Sequence, residues 1–166
     1  MTISDSVNNR LDAIDFRVLR SLAREGRVSD VSLGEEIHLS ATATARRRKI
    51  LEQNGVISGY TVGLDLSRLG FSVTVLVLIE LTSQAENVLM EFEEAVLGCP
   101  SMSYCSFISG ETDFLMMLHV RSFDDYDRVY RGELSKLPHV ARIRSSFVMR
   151  QVAKRAVPPV ALGLPR

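Results

Sequence analysis

Two hydrophobic periods divide the chain near residue 63. Up to that point apolar residues recur at helical spacing. Beyond it, runs of β-branched residues alternate with two further helical segments. Leu11, Ile14, Val18, Leu19 and Leu22 form one apolar stripe, with Asp12 placed to cap it and Gly26 interrupting the run. A short second helix, capped by Asp30, is expected to bury Val31, Leu33 and Ile37. His38-Leu39-Ser40 makes a tight corner, and Ser40 caps a third helix running from Ala41 to Asn54. Gly55 stands where a left-handed residue closes a helix. Val56-Ile57 and Gly59-Tyr60-Thr61-Val62 read as a short extended wing. Three helices with such a corner and a wing describe a winged helix-turn-helix.

The second half reads strand, helix, strand, strand, helix, strand. The strands are expected over 71–82, 102–109, 114–121 and 140–152. One helix spans 86–97 with Leu89, Phe92 and Val96 inward. Another begins at Ser122, carries Tyr126, Val129, Tyr130, Leu134 and Leu137, and stops at Pro138. This β-α-β-β-α-β order is the ferredoxin-like arrangement. The fold class is therefore α+β, an N-terminal winged helix-turn-helix plus a C-terminal ferredoxin-like βαββαβ domain. The expected organisation is an N-terminal arm over 1–10, a DNA-binding domain over 11–63 and a linker over 64–70. The ferredoxin-like domain over 71–153 and a tail over 154–166 follow.

Helices cover one face of such a sheet, so a monomer should show a polar opposite face. Phe114-Leu115-Met116-Met117-Leu118 is instead apolar at consecutive positions, and Leu76 and Leu78 interrupt the valines of the first strand. A second sheet covering that face makes the protein at least a dimer. The plainer alternative is a strand buried by the linker.

Composition narrows the picture. Hydrophobic residues make up 46% and charged residues 24% of 166, as in an ordinary globular chain. Twenty basic side chains balance twenty acidic ones, so binding to nucleic acid must come from a local cluster. The longest apolar stretch, 71–79, is about half the ~20 residues a spanning helix needs, and no secretory signal opens the chain. Cys99 and Cys105 are too few for a disulfide framework and read as reduced thiols of a cytoplasmic protein.

The dense basic run is Arg46-Arg47-Arg48-Lys49, in the helix that follows the corner. Ser40, Thr42 and Thr44 add small hydrogen-bonding groups in its first turn. A recognition helix uses its N-terminal residues on base edges and its cations on phosphates. Helical spacing prevents all four cations from facing DNA, and Arg46, Lys49 and Thr42 share one side. Arg48 falls near the side carrying Leu51, where it would snorkel along the first helix or pair with Glu25, Glu35 or Glu36. A solvated charged face is the bland reading; the position just after the corner argues against it. Expected contacts are Ser40, Thr42, Thr44, Arg46, Arg47 and Lys49, with Tyr60 from the wing.

At this point the residues resemble the Lrp/AsnC family of feast/famine regulators. The resemblance rests on Leu11-Asp12-x-x-Asp15-x-x-Val18-Leu19-x-x-Leu22 followed by Glu25-Gly26-Arg27, then Leu39-Ser40-x-Thr42, Arg47, Leu51-Glu52, Gly55-Val56-Ile57 and Gly59-Tyr60. Ser109-Gly110-Glu111-Thr112-Asp113-Phe114 and Leu137-Pro138-x-Val140 continue it. The family implies that residues 71–153 form a ligand-sensing and oligomerisation effector domain, with double-stranded DNA and a small effector, typically an amino acid, as partners. It also implies assembly as a dimer and often an octamer. Its effector motif falls on Ser109, Gly110, Glu111, Thr112 and Asp113, where a tight turn offers backbone groups and an acid to an α-amino acid. Ser101, Met102 and Ser103 would face the ligand from a neighbouring subunit. A simple hairpin turn with solvated acids is the alternative reading of that segment.

Several positions depart from the family pattern. His38 stands where glycine is usual, alanines 41 and 43 replace common prolines, and Arg48 replaces Val or Ile. The tail from Val157, with Pro158, Pro159 and Pro165, has no counterpart and reads as a flexible arm. No catalytic residue, metal site or cofactor is assigned, because His38, His119 and His139 lie far apart without ligand spacing. Two other functions remain in view. One is an enzyme like the siroheme decarboxylases, which reuse this architecture; the other is a metabolite sensor without DNA binding.

Overall fold

The computed structural model describes residues 11–164; the N-terminal arm expected over 1–10 lies outside the described residues. Contacts group residues 11–63 with 153–164 into one compact unit and residues 64–152 into another. The chain therefore passes between the units twice.

In the first unit, α1 (Ala13–Arg24), α2 (Asp30–Ile37) and α3 (Ala41–Gln53) enclose a core of Val18, Leu22, Leu33, Ile37 and Leu51. Asp12 caps α1 through a full capping box, accepting from the Ile14 and Asp15 N–H groups while Asp15 accepts from the Asp12 N–H. The cap of α2 is Ser29 rather than Asp30, which becomes the first helical residue. Val31 on that helix is 58% exposed, correcting its expected burial; one turn of helix cannot point both Val31 and Leu33 inward. His38 takes the left-handed conformation, φ 59° and ψ 47°, that the corner demands. Ser40 caps α3 by accepting from the Ala43 N–H, and Gly55 follows the helix with φ +70°. Residues 56–63 run without a strand ladder, so the wing is an extended loop.

The tail differs from the expected free arm. Pro159–Leu162 forms a 3-10 turn, and Arg20 donates to the Leu162 carbonyl at 3.0 Å. A Cβ on Gly163 would lie 3.5 Å from the Phe16 ring. Phe16 and Arg20 project from the side of α1 opposite Val18 and Leu22, so the turn gives that second face a neighbour.

In the second unit, β1 (Val73–Leu81), β2 (Met102–Phe107), β3 (Phe114–Val120) and β4 (Val140–Phe147) form an antiparallel sheet in the order β2-β3-β1-β4. This is the ferredoxin-like order. Helices α4 (Glu86–Val96) and α5 (Phe123–Gly132) supply Val88, Phe92, Val96 and Val129 to a core with Val75, Val77, Ile79, Met116, Leu118 and Val120. Residues 64–70, expected as a linker, form a turn in which Asp65 accepts from the Ser67 and Arg68 N–H groups. The last strand ends at Phe147, five residues short of its expected limit. Met149 and Val152 beyond it are 93% and 86% exposed and have no core to enter.

Candidate functional site

The register of α3 separates its residues into two functional sets. Thr44 and Leu51 point inward and are fully covered. The Thr44 hydroxyl donates to the Ser40 carbonyl at 3.0 Å, so Thr44 stabilises the corner and is withdrawn from any external partner. Its expected DNA contact is thereby corrected; two residues beyond Thr42, it lies on the opposite side of the helix. Ser40, Thr42, Arg46 and Lys49 are exposed. Among the described residues, no carboxylate pairs with Arg46 or Lys49.

The other two cations are engaged internally. Arg47 Nη1 donates to Asp12 Oδ2 at 2.8 Å and Asp15 Oδ1 at 2.7 Å. The pairing raises the guanidinium pKa, led by the Asp15 bond, while the Asp15 backbone N–H and then Arg47 hold the Asp12 carboxyl below its usual range. Arg48 Nη2 donates to the Val28 carbonyl at 2.9 Å and lies 3.0 Å from Asp30 Oδ1. Arg48 Nε and Asp30 Oδ1 are buried without an aligned hydrogen bond, so charge alone carries that pair. The glutamate partners expected for Arg48 are not used: Glu36 accepts instead from Ser21 and Arg24. Tyr60 in the wing donates its hydroxyl to Glu52 at 2.7 Å, which ties the wing to the end of α3. Burial, then that bond, pushes the phenol upward.

The turn between β2 and β3 has Gly110 at φ +131°, a left-handed backbone that favours glycine. Ser109, Gly110 and Glu111 are exposed, whereas Thr112 and Asp113 are 7% and 5% exposed. The Asp113 carboxylate accepts from the Leu81 N–H and from Gln84 Nε2, both at 2.7 Å. Both its oxygens serve the fold, so it is not the open acid expected to receive an ammonium. Asp113→Ala should lower the stability of unit 64–152 by about 2 kcal/mol, since it leaves the buried Leu81 N–H without its acceptor. Thermal unfolding by circular dichroism measures this; an unchanged midpoint would contradict the assigned role.

Ser101, Met102 and Ser103 lie at the other end of the same hairpin, where Met102 pairs with Leu118 while Phe107 pairs with Phe114 beside the turn. Residues 104–108 separate the two groups, so Ser103 and Ser109 lie roughly 20 Å apart along the strand direction, and one chain does not bring them together. The Ser101 N–H and hydroxyl both donate to Glu133, at 3.2 and 2.8 Å. Ser103 occupies a bulge between Met102 and Tyr104, and its hydroxyl sits 2.8 Å from His119 Nε2. Thr74 lies 3.3 Å from the other ring nitrogen of His119. A groove of about 520 Å³ along the outer side of α4, lined by Asn87, Met90, Glu91, Glu93, Glu94 and Leu97, contains none of the expected ligand residues.

Sequence reasoning missed Gln84, Glu133 and Asp30 as partners in these contacts, and no local pattern marks them. Cys99 and Cys105 are free thiols; burial pushes Cys105 up to about 11 and keeps it protonated near neutrality. Among the described residues, no group of three or more metal-ligating side chains gathers, and no helix is long and apolar enough to cross a membrane.

Comparison with known proteins gives two separate matches. Residues 11–58 match a winged helix-turn-helix DNA-binding description, and residues 74–158 match that of the Lrp/AsnC ligand binding domain. The fold and both matches define a transcriptional regulator that joins a DNA-binding domain to a ligand-binding domain. It belongs to the Lrp/AsnC family. The chain is 35% identical over 150 residues to the Bkd operon transcriptional regulator of Pseudomonas aeruginosa, covering 90% of this chain and 98% of that protein. It is 34% identical over 142 residues to the leucine-responsive regulatory protein of Escherichia coli, covering 86% and 87% respectively. Among solved structures, it is similar to a transcriptional regulator from Neisseria meningitidis in complex with L-Met, with a TM-score of 0.86 and 25% identity over 93% of this chain and 99% of that one.

Proposed function

We propose that the protein acts as a homodimer that reads a roughly palindromic DNA site and changes its affinity when an amino acid binds. The observation that carries this reading is the outward face of α3, where Thr42, Arg46 and Lys49 stand exposed opposite Leu51. Thr42 and the Ser40 hydroxyl approach base edges, and the two cations engage phosphates or guanine edges. Two such helices fit successive major grooves about 34 Å apart, or a multiple of it.

Dimerisation is supported by the second face of the sheet. Leu76 and Leu78 lie beside Met117 and Leu115 there, and Tyr104 beside them is 49% exposed. The helices α4 and α5 pack on the opposite face, and a second sheet satisfies this one. The effector site is read as shared between copies, because the Gly110 turn and the Ser101–Ser103 segment lie apart in one chain. Exposed backbone at Ser109 and Gly110, with the open Glu111 carboxylate, suits an α-amino acid. The L-Met complex of the Neisseria meningitidis relative favours that ligand class.

The reading is non-catalytic. The Pseudomonas aeruginosa and Escherichia coli relatives are named as regulators, and the three histidines are occupied locally. His38 forms the corner, His119 bonds within the sheet, and His139 lies 2.7 Å from Glu91. An absorbance scan for bound tetrapyrrole tests the decarboxylase alternative directly.

The main experiment is fluorescence anisotropy with DNA from the protein's own upstream region, at several salt concentrations, with and without a pool of the twenty amino acids. Arg46→Ala combined with Lys49→Ala should weaken binding about 30-fold and flatten the salt dependence by about two units of slope. Binding by the parent protein that ignores salt, or a double variant that binds normally, would overturn the assignment. Failure of the parent to bind either this fragment or a random-site library would favour the DNA-independent sensor.

A further inference from the structure

We infer that Arg47 and Arg48 are positioning residues: they brace the recognition helix from both sides and set its rotation, rather than contacting DNA themselves. At about 100° per residue, they leave the helix about 50° to either side of the buried Thr44–Leu51 line. From there each reaches a different neighbouring element. Arg47 crosses to the two carboxylates at the start of α1, and Arg48 crosses to the Val28 carbonyl and Asp30 at the start of α2. Arg47 and Arg48 retain 29% and 19% of their side-chain exposure.

The two braces oppose each other. Turning α3 about its axis to bring Arg47 outward would drive Arg48 inward, toward the line held by Leu51, and the reverse turn would bury Arg47. With both engaged, the angle at which Thr42, Arg46 and Lys49 leave the protein is held from two directions. The wing joins the same arrangement, since Tyr60 bonds Glu52 one turn beyond Arg48. The basic run thus divides by function: its outer members bind and its inner members aim.

This inference rests on the DNA-binding reading above, and the test separates the two. Asp30→Asn, and Asp12→Asn combined with Asp15→Asn, preserve shape while removing the negative partners of each brace. If Arg47 and Arg48 were phosphate contacts held in reserve, releasing them would tighten DNA binding and steepen its salt dependence. Braces predict the opposite. Each Asn variant, and Arg48→Ala, should lower affinity for a duplex selected from a random-site library about tenfold more than for a scrambled duplex. The salt slope should stay within half a unit of the parent value. Arg46→Ala and Lys49→Ala serve as the contrast, each flattening the slope by about one.

The double variant Asp30→Asn with Arg48→Ala should be no weaker than the worse single variant, because both remove one brace. Measurements well below the unfolding midpoint of every variant keep lost fold out of the comparison. Should Arg48→Ala not fold, the isosteric Asn variants carry the test alone. A gain of affinity in either Asn variant, or a slope loss of one in Arg47→Ala or Arg48→Ala, would overturn the positioning role. A parent protein that binds no duplex would instead overturn the reading beneath it, and the role with it.

Discussion

Phe92→Ala is expected to lower the stability of unit 64–152 by about 4 kcal/mol, within the roughly 3–5 kcal/mol typical of emptying a buried aromatic site. Phe92 is 0% exposed and lies at the centre of the inner face of α4, its ring centroid 4.5 Å from that of Phe114 at the start of β3. Removing it takes away apolar contact with the sheet and with the strand that carries the Gly110 turn. The surrounding residues, Val77, Ile79 and Met116, are themselves fully covered and cannot collapse into the space without breaking the β1–β3 register. At roughly 4–8 °C per kcal/mol for a unit of this size, the midpoint should fall by about 20 °C. Unit 11–63 with 153–164 has its own core, so calorimetry should show its transition little changed. A shift of the 64–152 transition by only a few degrees would mean that the Phe92 site can close.

A comparable loss is expected in the other unit from Gly34→Ala. A Cβ at Gly34 would lie 2.6 Å from the Leu39 carbonyl oxygen and 3.1 Å from Thr44 Oγ1. The first contact is with backbone, so relief requires the corner itself to open. Opening it moves Ser40 and the Thr44–Ser40 bond, and with them the start of α3. The cost should be about 3 kcal/mol, at the upper end of ordinary overpacking, accompanied by weaker DNA binding at temperatures where the variant remains folded. Gly59→Ala is the control, because nothing lies within 4 Å of its would-be Cβ and its backbone is outside the left-handed region. Circular dichroism melting of both variants measures the difference; equal midpoints would show that the corner yields at little cost.

What the sequence disclosed follows the range over which its signals act. The caps at Asp12 and Ser40, the left-handed His38 and the consecutive apolar residues of β3 are local, and the structure contains each of them. Periodicity also places Leu51 inside and Arg46 and Lys49 outside. The departures lie where one residue's partner is chosen by the fold. Arg47 meets Asp15 across 32 residues, and Asp113 meets the Leu81 N–H across the same separation. The sequence offers Arg48 a path along the first helix or one of several glutamates, yet the helix angles deliver it to Asp30. Thr44 shows a further limit: a small polar residue on a recognition helix is read equally well as a contact or as an internal hydrogen-bond donor. Its position opposite Thr42 would have resolved the two. The Pro-rich tail shows no periodic face, so nothing local marked Phe16 and Arg20 as its partners.

That tail also bears on how the chain is made. Arg20 and the carbonyl it binds at Leu162 are 142 residues apart, with the whole of unit 64–152 between them. At roughly 5–20 residues per second, a ribosome needs on the order of ten to thirty seconds to deliver the second after the first. The three-helix core can gather early, but the outer side of α1 waits for the turn that covers it. On a nascent chain, the DNA-reading unit is therefore finished only after the ligand-sensing unit has been synthesised in full.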